Sequence, residues 1–168
     1  MTRRMTTLKW VFYALWTLAF LLAQQLVFPY LRIAGVHPFI LPSLAAIAAS
    51  FEGKREGPVY ALVLGLICDT LFVGAFPCFY AAVLTLSALL AGQAARRLIM
   101  PGAVCSLAVS AGALLLTDLF NAVAFSYSHG TPLGETMWLT AREILLSLPF
   151  AMLVHLVFSR VHRRFDRR

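Results

Sequence analysis

The chain has 168 residues, 61% of them hydrophobic and only 12% charged. A soluble domain is about half apolar and a quarter charged, so this composition excludes an ordinary water-soluble enzyme module. The formal net charge of +7 does not point to nucleic acid, because the basic residues sit in short clusters between apolar runs. That is how loops report membrane orientation.

One spanning helix uses about 20 apolar residues, and six would use about 120. The expected architecture is an all-α integral membrane protein, a compact bundle of about six transmembrane helices forming one domain over 1–168. The apolar runs place the helices at 10–28, 33–51, 57–73, 76–95, 99–125 and 137–158. The first follows Arg3, Arg4 and Lys9. It is longer than the apolar region of a signal peptide and reads as a retained helix. Pro38 and Pro42 start or kink the second helix. A short turn near Gly74 separates the third from the fourth. Residues 126–135 carry Gly130, Pro132 and Gly134 and read as an irregular loop. Residues 159–168 read as a basic cytoplasmic tail of Arg160, Arg163, Arg164, Arg167 and Arg168, an orientation anchor that also suits anionic membrane lipid.

Orientation follows from the basic residues. With the N-terminus inside, the inner segments hold Arg3, Arg4, Lys9, Lys54, Arg55, Arg96, Arg97, Arg160, Arg163, Arg164, Arg167 and Arg168, which is 12 of the 14. Arg32 and Arg142 fall towards the outer side. This asymmetry puts both termini in the cytoplasm and needs an even number of spans.

Three acids fall inside predicted spans, where an Asp at a helix centre costs about 2.5–3.5 kcal/mol on insertion scales. They are Asp69, Asp118 and Glu143, with Arg142 beside the third. The topology puts all four at one outer level, near Gln24 and Gln25. The expectation is an interior polar cluster of Asp69, Asp118, Asn121, Arg142 and Glu143, with Arg142 as the ion-pair partner of Asp69 or Asp118. Such a cluster can glue helices, dock a partner or hold a small ligand. Two stripes of small residues lead to the acids: Gly57, Ala61 and Gly65 before Asp69, and Gly102, Ser106 and Ser110 before Asp118. Small stripes let membrane helices approach closely.

Familiar catalytic chemistry is missing from the sequence. There is no GxxxxGK[ST], GxGxxG or HExxH motif, and His37, His129, His155 and His162 are scattered. No nucleophile with a partnered base stands out. The reading is a non-enzymatic protein with no cofactor and no metal. Cys68, Cys78 and Cys105 read as small buried hydrophobes.

The stretch from Arg55 to Leu98 carries a glycine-bearing entry (Gly57), then G-L-x-x-D (Gly65, Leu66, Asp69), a turn glycine (Gly74) and a following apolar helix. In these positions the chain resembles the bacterial rod shape-determining protein MreD family. Elsewhere the likeness lies in length, hydropathy and the basic C-terminal end. The resemblance implies a non-enzymatic scaffold or regulatory subunit of the cell-elongation complex in the bacterial cytoplasmic membrane, supporting lateral peptidoglycan synthesis. It implies MreC as a partner, and in the same complex MreB, a SEDS-class glycosyltransferase and a class B penicillin-binding protein. It also marks Gly65 and Asp69 as important. In layout the chain is similar, too, to the substrate-binding subunits of energy-coupling-factor vitamin transporters, which are small, basic and six-spanning. Ala19-x-x-x-Ala23 matches their small-residue spacing in the first helix.

Overall fold

Positions 9, 13, 17, 21, 24 and 28 recur at helical spacing, and in the computed structural model all six side chains are buried along one face of α1 (Arg3–Leu26) and the 3-10 turn after it (Phe28–Tyr30). Lys9, Thr17 and Gln24 are on that buried face, while Val11, Leu15, Leu18, Leu22 and Leu26 are exposed. Polar groups turned inward and leucines turned outward suit a lipid surround, since water would not tolerate so continuous an apolar surface. The structure describes residues 3–31, 35–72, 76–97, 102–129 and 133–166. Arg32, Gly74, Gly130, Pro132, Arg167 and Arg168 lie outside them.

The described residues are all helical apart from short connections. After α1 come α2 (Leu41–Leu71), α3 (Phe79–Arg97), α4 (Ala103–His129) and α5 (Leu133–Asp166). Among the described residues four stretches are long and apolar enough to cross a membrane: Thr6–Tyr30, Phe79–Arg96, Ala103–Ala124 and Met137–Arg164.

The second and third expected helices differ most from the structure. Residues 35–40 are not helical, and α2 begins at Leu41 with Pro42 in its first turn, where a missing N–H costs nothing. The expected gap between 51 and 57 is instead a single break at Gly53 (φ +85°, ψ −161°), a conformation that suits only glycine. The chain folds back there, because a methyl group added to Gly57 would lie 2.6 Å from Ala49 Cα. The half 41–52 is about 18 Å long and the half 54–71 about 27 Å.

The shorter half is the centre of the bundle. Leu41, Leu44, Ala45, Ala46, Ile47 and Ala49 are all fully buried. Its alanines let neighbours close in, and Gly92 of α3 packs against the Ala49 carbonyl. Lys9 meets Glu52 at one end, and Gln24 meets Pro38 and Ile40 at the other, so α1 runs antiparallel to this half. α5 runs parallel to it, since Ser147 meets Phe39 and His162 meets Glu52.

Buried non-helical backbone needs partners, because an unpaired N–H or C=O away from water is costly. Gln24 Nε2 donates to the Pro38 carbonyl (3.0 Å) and Gln24 Oε1 accepts the Ile40 N–H (3.1 Å). Ser147 Oγ accepts the Phe39 N–H (3.0 Å). Replacing Gln24 with Leu should therefore cost about 1–3 kcal/mol, the penalty of stranding buried backbone groups. A melting curve of the purified variant in detergent checks this.

The helix ends also depart from expectation. α4 continues through His129 and α5 starts at Leu133, so most of the expected irregular loop is helical. The expected basic tail is helical through Asp166. Arg160, Arg163 and Arg164 are exposed on the last turns of α5, where cations interact favourably with the helix dipole.

Candidate functional site

The G-L-x-x-D segment closes a helical hairpin between the second half of α2 and α3. Gly65 is buried against α3, and a methyl group there would lie 2.5 Å from Ala81 Cα and 2.7 Å from the Tyr80 carbonyl oxygen. One turn further on, Asp69 Oδ1 accepts the Tyr80 N–H (2.8 Å) and Oδ2 accepts the Ala81 N–H (3.0 Å). The first N–H groups of a helix have no partner within it, and a carboxylate satisfies them while complementing the helix dipole. Asp69 thus caps the next helix from outside it. Leu66 is exposed, pointing away from the hairpin seam.

This corrects the expected role of Asp69 as a member of a charged cluster. Arg142 is not the expected counter-ion either. It is exposed, with its Cζ 4.8 Å from the Trp138 ring centroid. Among the described residues no ion pair joins it to Asp69 or Asp118.

The remaining polar candidates do converge. Asp118 and Asn121 of α4 and Glu143 of α5 line a cavity of about 330 Å³ at the Gln24 end of the bundle, together with Gln25, His37 and Tyr80. Asp118 is 7% exposed, and its Oδ2 has no hydrogen-bond partner. Three rings form part of the wall. Phe39, Phe72 and Tyr80 lie 6.0–6.1 Å apart, centroid to centroid, in edge-on or tilted pairs.

The small stripes take different partners. Gly57 seats the fold-back on Ala49, Ala61 is fully buried, and Gly65 seats α3. On α4, Ser106 Oγ shares a 2.7 Å hydrogen bond with His155 Nδ1 of α5. Ser110 is buried without a hydrogen-bond partner for its hydroxyl, and Gly102 is half-buried with its carbonyl accepting the Ser106 N–H. Cys68 and Cys105 are buried, but Cys78 is exposed on the turn before α3.

A second polar centre, absent from the sequence reading, lies at the opposite end. Glu52 ends the central half-helix, with its side chain 3% exposed. Lys9 Nζ donates to its Oε2 (2.7 Å), and the Tyr13 hydroxyl donates to its Oε1 (2.7 Å). His162 Nδ1 lies 3.4 Å from Oε1. One carboxylate therefore ties α1, α2 and α5 together beside the Gly53 break, outside the four stretches apolar enough to cross a membrane. Burial opposes its charge, but the hydrogen bonds from His162, Lys9 and Tyr13 and the Lys9 charge outweigh burial and hold the carboxyl at about 2. Nothing in the spacing links residue 52 to residues 9 and 162. The one local signal is an acid directly before a glycine at the end of an apolar run.

No protein-family model, curated protein or solved structure matches the chain.

Proposed function

We propose that the protein is a non-enzymatic scaffold subunit of the bacterial cell-elongation complex, held in the cytoplasmic membrane. The observation that carries this reading is the hairpin seat. Gly65 and Asp69, the positions of the MreD-like motif, close α2 against α3 and cap α3, which is work for a rigid frame and not for chemistry. In this reading the Glu52 end faces the cytoplasm with both termini, and the exposed Arg160, Arg163 and Arg164 meet anionic lipid there. The chain then crosses six times, its second crossing made of the extended segment 35–40 and the half-helix over 41–51, with Glu52 just beyond its cytoplasmic end. MreC is the expected partner, docking against the rigid bundle.

Replacing Asp69 with Ala removes both acceptors at the start of α3. It should cost about 2 kcal/mol and lower membrane level, MreC co-purification and rod shape together. If all three stay normal, the scaffold reading fails. Asp69→Asn, which retains one acceptor, should lie between.

The cavity at the Gln24 end favours a second reading, the substrate-binding subunit of an energy-coupling-factor vitamin transporter. Mass spectrometry of gently purified protein separates the two. A stoichiometric vitamin supports the transporter, and a co-purifying wall-synthesis subunit supports the scaffold.

A further inference from the structure

Two carboxylates face one hollow at the Gln24 end, and no lysine or arginine is among the described residues that line it. Asp118 and Glu143 line it, and among its described wall residues His37, which is exposed, is the one base. Arg142, next in sequence to Glu143, is turned out onto Trp138. Asp118 is nine-tenths buried, and its Oδ2 makes no hydrogen bond. A buried carboxylate oxygen without a donor is costly, and in the native state such a group is met by a cation, a donor or a proton.

The rest of the wall suits an organic cation. Phe39, Phe72 and Tyr80 present three rings at mutually tilted angles, and ring faces attract organic cations. Gln25 and Asn121 add amide groups on the same wall. The volume of about 330 Å³ far exceeds one water molecule's share of about 30 Å³. A bare metal ion would leave most of it empty, and among the described residues no three His, Cys, Asp or Glu side chains converge to hold one. We infer that this cavity binds an ammonium group, carried by a small amine or by a lipid headgroup, between the Asp118 and Glu143 carboxylates and the Phe39–Phe72–Tyr80 rings. The inference depends on neither functional reading above.

The test uses the full chain in nanodiscs of phosphatidylglycerol, with cadaverine as the probe and sodium chloride at matched ionic strength as the control. Cadaverine should raise the melting temperature saturably, and sodium should not. Asp118→Asn should weaken the apparent affinity tenfold or more. Glu143→Gln, on the less buried residue, should weaken it as well and serves if the first variant misfolds. Repeating the titration with phosphatidylethanolamine in the discs distinguishes the sources. A suppressed cadaverine response assigns the site to a lipid ammonium, and an undiminished one assigns it to a soluble amine. The inference is overturned if folded protein gives no saturable response in phosphatidylglycerol discs, if sodium gives an equal one, or if both variants respond as the parent does.

Discussion

Replacing Glu52 with Ala should destabilise the folded protein by about 3–5 kcal/mol, the largest effect expected of any single change described above. The loss has two parts. The carboxylate is the meeting point of α1, α2 and α5, so its removal frees the Gly53 fold-back from both flanking helices. It also leaves Lys9, only 7% exposed, without its counter-charge. The second part is the larger, because an uncompensated buried charge costs more than a well-made pair contributes. A double variant, Lys9→Met with Glu52→Gln, should therefore recover most of the stability. Thermal melts in detergent, followed by tryptophan fluorescence and by size-exclusion recovery, provide the comparison. Equal losses in the single and double variants would show that the ion pair is not what holds this end together.

The same carboxyl makes stability depend on pH. Its value in the folded protein is depressed from an ordinary 4.5 to about 2. The unfolded chain therefore takes up the proton first as pH falls. The contribution of Glu52 is present in full above pH 4.5 and is lost as pH falls through about 2. Over that window the parent's melting temperature should fall more than that of Glu52→Gln, whose side chain does not titrate.

Replacing Gly65 with Val should be the second largest effect, because the new side chain has nowhere to go. Even a methyl group would meet Ala81 Cα at 2.5 Å and the Tyr80 carbonyl at 2.7 Å, both backbone atoms that cannot swing aside. Overpacking a tight interface costs about 1–3 kcal/mol. Here it also pulls the Tyr80 and Ala81 N–H groups away from Asp69, so Gly65→Val should exceed that range. Gly65→Ala should fall within it. The coupling is measurable: in an Asp69→Ala background, Gly65→Ala should cost less than it does alone, since the cap it disturbs is already gone. Additive losses would mean that the seat and the cap act separately. Gly112, with open space around it, is the control position, where Ala should be neutral or slightly stabilising.

Much of the framework was legible in the sequence for a simple reason. Hydropathy is a local property, and long apolar runs mark helices whatever packs against them. All the predicted helical stretches contain helix, and the small residues at 57, 61 and 65 lie in packed seams. The partners of the acids were not legible. Counting residues along helices puts Asp69, Asp118, Arg142 and Glu143 at one level, and depth alone does not say which way a side chain turns. Asp69 turned to two backbone N–H groups eleven and twelve residues ahead. Arg142 turned to an aromatic ring one turn away. Glu52, marked locally only by the glycine after it, is the most connected acid described in the bundle.

By itself, then, the sequence determined that the chain is helical, apolar on its surface and built on close-packed small residues, because these follow from composition and from period. Tertiary structure decided which groups neutralise which. A buried charge takes whichever donor the fold brings within about 3 Å, and it left Asp118 Oδ2 with none.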